Sequence, residues 1–116
     1  MAERLYHLAL AQDWERGAGA AYDVSTIGRS LADEGFVHCS FAHQVQPTAD
    51  RFYRGRGDVL LLEIDPAALT SPVKVEDPGG GEPFPHVYGP VNRDAVVRVV
   101  PVPLRDDGRL DLGAAM

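Results

Sequence analysis

The chain is 116 residues long and carries a formal net charge of −6, from 17 acids against 11 bases, with a single cysteine. One cysteine excludes an internal disulfide. Bases scattered along the chain argue against nucleic acid as a broad partner, because that function needs lysine and arginine gathered against phosphates. No apolar run approaches the roughly 20 residues of a membrane-spanning helix and nothing at the N-terminus resembles a signal peptide. The expectation is therefore one soluble, cytoplasmic domain over 1–116 with no membrane partner and a core at about 4–103.

The first predicted element is a strand over Arg4–Leu10, whose alternation puts Leu5, His7 and Ala9 on one face and Tyr6, Leu8 and Leu10 on the other. A short helix around Trp14 follows, ended by the small-residue run Gly17–Ala21, and Tyr22–Gly28 reads as polar and turn-like. Thr26 or Ser30 is placed to start a brief helical turn through Leu31 and Ala32. The stretch Asp33–Tyr53 organises the rest. Gly35 marks a backbone turn, and Phe36, Val37 and Cys39 form an apolar strand with His38 in its middle. Ala42, Val45, Ala49, Phe52 and Tyr53 then recur at helical spacing until Gly55 and Gly57. This corner puts His38 near the first turn of a helix, where an anionic or electron-rich ligand is favoured.

Asp58–Asp65, DVLLLEID, is the strongest strand and belongs in the middle of a sheet. Pro66–Leu69 makes a single turn and Val73–Glu76 a short strand. Asp77–Pro85, DPGGGEPFP, is a loop or a flexible flap that delivers the chain into His86–Pro90. A last strand over Val96–Val102 finishes at a sheet edge, since Pro101 and Pro103 cannot donate to a further ladder. Residues 104–116 read as a weakly ordered tail. The order strand, helix, strand, helix, strand, strand, loop, strand lacks the alternation of a doubly wound parallel sheet. It predicts an α+β fold.

Four histidines are the candidates for chemistry. His7, His38 and His86 sit in or beside strands and next to aromatic residues (Tyr6, Phe36, Phe84, Tyr88), whereas His43 lies in the first turn of the helix. Such surroundings lower a histidine's pKa and keep the ring neutral, suited to ligand recognition or acid–base work. The competing reading makes each a structural histidine satisfied by backbone. Histidine with Glu34, Glu63 or Glu76 could bind zinc, but HxxxH, HExxH and CxxC are all missing, and no metal site is assigned. Cys39 alternates to the face opposite His38 and reads as a buried small hydrophobe. The glycines at Gly79–Gly81 neither follow a strong strand nor open a helix, so a phosphate loop is not expected.

The set Tyr6-His7, GFVHCS at Gly35–Ser40, Gln44-Val45, Arg51-Phe52-Tyr53, LLLEID at Leu60–Asp65 and FPHVYGPV at Phe84–Val91 resembles the bacterial family called domain of unknown function 952. That resemblance covers about residues 4–103 and implies an ADP-ribosyltransferase-like fold, two small, roughly perpendicular β-sheets forming a cleft for NAD. It implies that His7 holds the adenosine-side ribose, that His38 meets the nicotinamide, and that His86 stands where the wider superfamily has a glutamate. A carboxylate would steady the positive charge that grows on the ribose better than a neutral imidazole, and Glu76 or Glu82 is the nearest substitute in sequence. The expected site is thus catalytic His38 and His86, with Ser40, Tyr53, Tyr88 and His7 binding substrate. The partner is a small-molecule nucleotide or metabolite, with NAD as substrate rather than resident cofactor. The flap would exclude water. The alternative is a binding module that keeps the cleft without the chemistry.

Overall fold

The computed structural model describes residues 3–16, 21–26, 28–77 and 79–116. In chain order these form β1 (Leu5–Leu10), α1 (Ala11–Glu15), β2 (Val24–Thr26), β3 (Arg29–Ser30), α2 (Leu31–Glu34), β4 (Val37–His38) and α3 (Val45–Phe52). They continue as β5 (Val59–Ile64), β6 (Val73–Glu76), β7 (Phe84–Val87), β8 (Val96–Pro101) and α4 (Leu112–Ala115). The strands make two three-stranded sheets, β1-β5-β8 and β4-β7-β6, and the two-stranded ribbon β2-β3. Every pairing is antiparallel. The architecture is the expected α+β mixture, with β5 central and β8 at an edge.

The first sheet is covered on both faces, and the alternation in β1 and β5 shows why. Leu8, Leu10, Val59 and Leu61 enter one core with Val45, Ala49 and Tyr53. Leu5, Ala9, Leu62 and Ile64 enter the other with Val37, Cys39 and Val87 of the second sheet. A strand buried on both sides carries apolar residues at nearly every position, which is how LLLEI reads. Each such side chain taken fully out of water contributes about 1.5–3 kcal/mol.

Ahead of the second sheet, α2 is fixed at both ends. Ser30 Oγ accepts from Asp33 N–H at 3.2 Å while Ser30 N–H donates to Asp33 Oδ2 at 3.0 Å, a reciprocal cap. Gly35 ends the helix at φ +85°, a conformation that costs other residues steric strain. The chain is thereby turned straight into Phe36 and β4.

Several expectations change. Tyr22–Gly28 is not merely a turn: Tyr22 bridges Val91 and Val24–Thr26 pairs with β3, because hydrogen bonds to distant segments substitute for a weak apolar signal. The helix begins at Val45, after a tighter turn at Ala42–Gln44. Its core stripe is Val45, Ala49 and Tyr53, whereas Phe52 stays 45% exposed. Residues 104–116 are no loose tail: Leu110, Leu112 and Ala115 are buried against α3 and β5, closing the side of the first sheet that would otherwise lie open. Of the run Gly17–Ala21, only Ala21 falls within the described residues. Among those residues no helix is long and apolar enough to cross a membrane.

Candidate functional site

The second sheet divides its residues by strand alternation. Val37, Cys39 and Val87 face the core, so their neighbours His38 and His86 face the other way, as directly opposed partners across β4 and β7. Phe36, Phe84 and Tyr88 extend that outer face, and Lys74 and Glu76 of β6 are paired opposite His86 and Phe84. The result is an aromatic surface with two imidazoles and one carboxylate. His86 lies flat against Phe36 with ring centroids 3.9 Å apart, and His38 meets Phe84 at 5.1 Å and His86 at 5.6 Å.

His86 is 3% exposed. Its Nδ1 donates to Glu76 Oε1 at 3.0 Å, and the same oxygen accepts a short hydrogen bond from the Tyr88 hydroxyl. Lys74 Nζ stands 4.9 Å over the Tyr88 ring. The Tyr88 hydroxyl first, and His86 second, hold the Glu76 carboxyl below its usual range. With Nδ1 carrying the proton, His86 Nε2 presents a lone pair. That atom is buried and has no hydrogen-bond partner, a condition that costs roughly 1–3 kcal/mol.

His38 is half-buried, and burial first, then the neighbouring His86, pushes its pKa down to about 4. Its backbone N–H donates to Ser25 Oγ at 3.1 Å. His38 and His86 line an open cleft of about 780 Å³, walled by α3 through Arg51 and Phe52, by the β2–β3 ribbon through Thr26 and Arg29, and by the loop at Gly79–Glu82. Gln44 pins that loop, its Nε2 donating to Glu82 Oε2 at 2.9 Å and to the Pro83 carbonyl at 2.7 Å. Asp77 Oδ1 accepts from the N–H groups of Gly79 and Gly81. The expected flap is therefore tethered at the helix start.

The other expected site residues lie behind the cleft. His7 is buried, with Nδ1 donating to the His38 carbonyl at 2.6 Å and Nε2 accepting from the Tyr22 hydroxyl at 3.0 Å. Burial pushes its pKa down to about 4. Both nitrogens are occupied, and the ring ties β1 to β4. Tyr53 donates to the Leu8 carbonyl at 3.3 Å, and Ser40 Oγ lies 3.5 Å from Thr48 Oγ1. His7, Ser40 and Tyr53 share a cavity of about 10 Å³, room for about one water. Tyr88 acts on the site through Glu76. His43 is solvent-exposed, 3.7 Å from Glu82.

The structure thus joins His38 and His86 at the cleft, while His7, Ser40 and Tyr53 meet His38 around the small cavity behind it. It adds Arg29, Arg51 and Phe52, which sequence reasoning missed. Phe52 carried a signal, since it lies one position off the Val45–Ala49–Tyr53 stripe. Burial pushes the Cys39 thiol up to about 12, which disfavours the thiolate that nucleophilic attack requires. Among the described residues no three His, Cys, Asp or Glu side chains gather to hold a metal.

An X-ray structure of protein CC0527 from Caulobacter crescentus is similar to this chain, with a TM-score of 0.84, 29% identity and 96% of each chain covered. The solution NMR structure of CC0527 gives a TM-score of 0.81 at 29% identity, covering 97% of this chain and 96% of that one. A search of curated proteins found no match. Residues 8–99 match the family described as Protein of unknown function (DUF952), and with most of its length inside that match the chain belongs to this family.

Proposed function

We propose that the cleft binds an ADP-ribosyl or other phosphorylated nucleotide, NAD among them, and that His86 is the group that meets the ribosyl hydroxyls or the attacking water. One observation carries this reading: His86 Nε2 is a buried acceptor without a partner while Nδ1 is held by Glu76. A histidine oriented by a carboxylate is the usual arrangement of a general base. The flat faces of Phe52, Phe84 and His38 along the cleft suit a base or nicotinamide ring. In hydrolysis, the oxygen of a water would bond to the ribosyl anomeric carbon and its proton would pass to His86 Nε2. Nicotinamide would leave neutral, taking the C–N electron pair. The resemblance to the ADP-ribosyltransferase fold belongs to this proposal.

A non-catalytic binding module is the second reading, favoured by the state of the carboxylates. Glu76 is turned to His86 and Tyr88, Glu34 accepts from Thr26 Oγ1 at 3.1 Å, and Glu82 is held by Gln44. One oxygen of each is engaged before any ribose arrives.

The test is a thermal-shift titration with NAD, ADP-ribose and nicotinamide, joined to an assay of nicotinamide release. A ligand at a hundred times its Kd adds about 2.7 kcal/mol, a shift of several degrees. His38→Ala and His86→Ala should abolish it. Because a buried histidine variant can fail to fold, the ¹⁵N resonance of His86 Nε2 is followed in the wild type as well. A ligand that shifts Tm but not that resonance refutes the role of His86. Binding without release selects the binding module.

A further inference from the structure

In an acidic chain, arginines that no hydrogen bond or ion pair holds stand out, and among the described residues the two such arginines line one cleft. Of the ten arginines, six form ion pairs with aspartate or glutamate. Arg54 and Arg93 donate to backbone carbonyls. Among the described residues, Arg29 and Arg51 make no hydrogen bond or ion pair, and both line the cleft. They reach it from separate elements, Arg29 from the end of the β2–β3 ribbon where it pairs with Thr26, and Arg51 from the last turn of α3.

We infer that Arg29 and Arg51 are the anion-holding end of the cleft, taking the phosphate or pyrophosphate group of the ligand. Arg51 is held open by its own neighbour, its guanidinium 5.2 Å from the centre of the Phe52 ring. A cation placed over an aromatic face keeps its N–H edges free for an incoming oxyanion. Bidentate guanidinium–phosphate bonds are among the strong, geometrically selective ones. Two carboxylates, Glu34 and Glu82, line the same cleft, so the lining is balanced rather than positive throughout. A bare anion is matched by the arginines alone. A ligand that carries a phosphate together with hydroxyl or amino donors is matched by arginines and carboxylates at once.

This subsite rests on the nucleotide reading of the cleft only for the identity of the whole ligand. Isothermal titration with pyrophosphate, ADP-ribose and adenosine separates the two. Wild-type protein should bind ADP-ribose and pyrophosphate, and both should weaken about tenfold or more in Arg29→Gln and in Arg51→Gln. Both side chains are exposed, so these variants fold. Arg51→Lys should recover part of the loss, Arg105→Gln should change nothing, and raised salt should weaken binding. Unchanged affinity in the glutamine variants, or no binding of either phosphate compound, overturns the inference. If adenosine binds through His86 and phosphate adds nothing, the arginine subsite falls and the nucleotide reading stands. Should pyrophosphate depend on the arginines while ADP-ribose binds His86→Ala as it binds wild type, the subsite stands and that reading falls.

Discussion

Glu76 and His86 are diagonal neighbours across the antiparallel β6–β7 pair, and the carboxylate accepts from the ring's Nδ1 at 3.0 Å. Direct opposition places Lys74 across from His86 and Glu76 across from Phe84, so the bond runs along the sheet's outer face. Tyr88, two residues beyond His86 on that face, closes the set by donating to the same oxygen. The sheet's own register therefore decides which imidazole nitrogen carries the proton.

Glu76→Gln tests that arrangement. An amide presents both a donor and an acceptor and no longer demands a proton on Nδ1. Imidazole ¹⁵N shifts should report one tautomer of His86 in the wild type and a mixture in the variant. A pure Nδ1–H tautomer in both would show that something other than Glu76 orients the ring.

Stability should fall as the solution is acidified from pH 6.5 toward 4. His7 has a folded pKa of about 4 against an ordinary 6.5, so in this window the unfolded chain binds a proton that the native state refuses. The stability present above pH 6.5 is lost as pH falls, by about 3 kcal/mol once pH 4 is reached. His38 acts in the same direction. Urea denaturation at pH 7.5, 6, 5 and 4 measures the slope, and His7→Gln, which does not titrate, should flatten it. An equal slope in that variant would assign the effect elsewhere.

Gln44→Ala should loosen the cleft's loop without emptying the core. Gln44 caps the Phe41 N–H through Oε1 at 2.9 Å and holds Glu82 and Pro83 through Nε2. Loss of a cap together with buried hydrogen bonds costs about 1–3 kcal/mol. Amide exchange should quicken at Gly79–Glu82 and stay slow in β5. Unchanged exchange in the loop would mean that the Asp77 turn suffices to hold it.

Leu112→Ala should cost about 2–5 kcal/mol, the range for truncating a buried leucine. Leu112 is 1% exposed. A change within about 0.5 kcal/mol, normal for a surface position, would return the C-terminal segment to the status of a tail.

Local pattern carried much of this molecule. The two-sided apolar run at Leu60–Ile64, the alternation in β1, the Ser30 cap and the prolines that end β8 each act over a few residues, so propensity and periodicity reveal them. The same alternation set His38 and Cys39 on opposite faces, and burial of His7 and His38 lowered their pKa values as aromatic surroundings suggested. What the sequence could not settle was which histidine faces a cleft. His7, His38 and His86 share the same local character, and only the packing of β1 beneath β4 fills both nitrogens of His7 while leaving one of His86 empty. Leu110 and Leu112 sit in a polar segment whose burial depends on α3 being there to receive them. Arg29 and Arg51, 22 positions apart, look like any other arginines until the fold gives the remaining eight a hydrogen bond or ion pair to a carboxylate or carbonyl and, among the described residues, gives these two neither. Burial, ion pairing and hydrogen-bond satisfaction are relations between segments distant in the chain, and tertiary structure alone decides them.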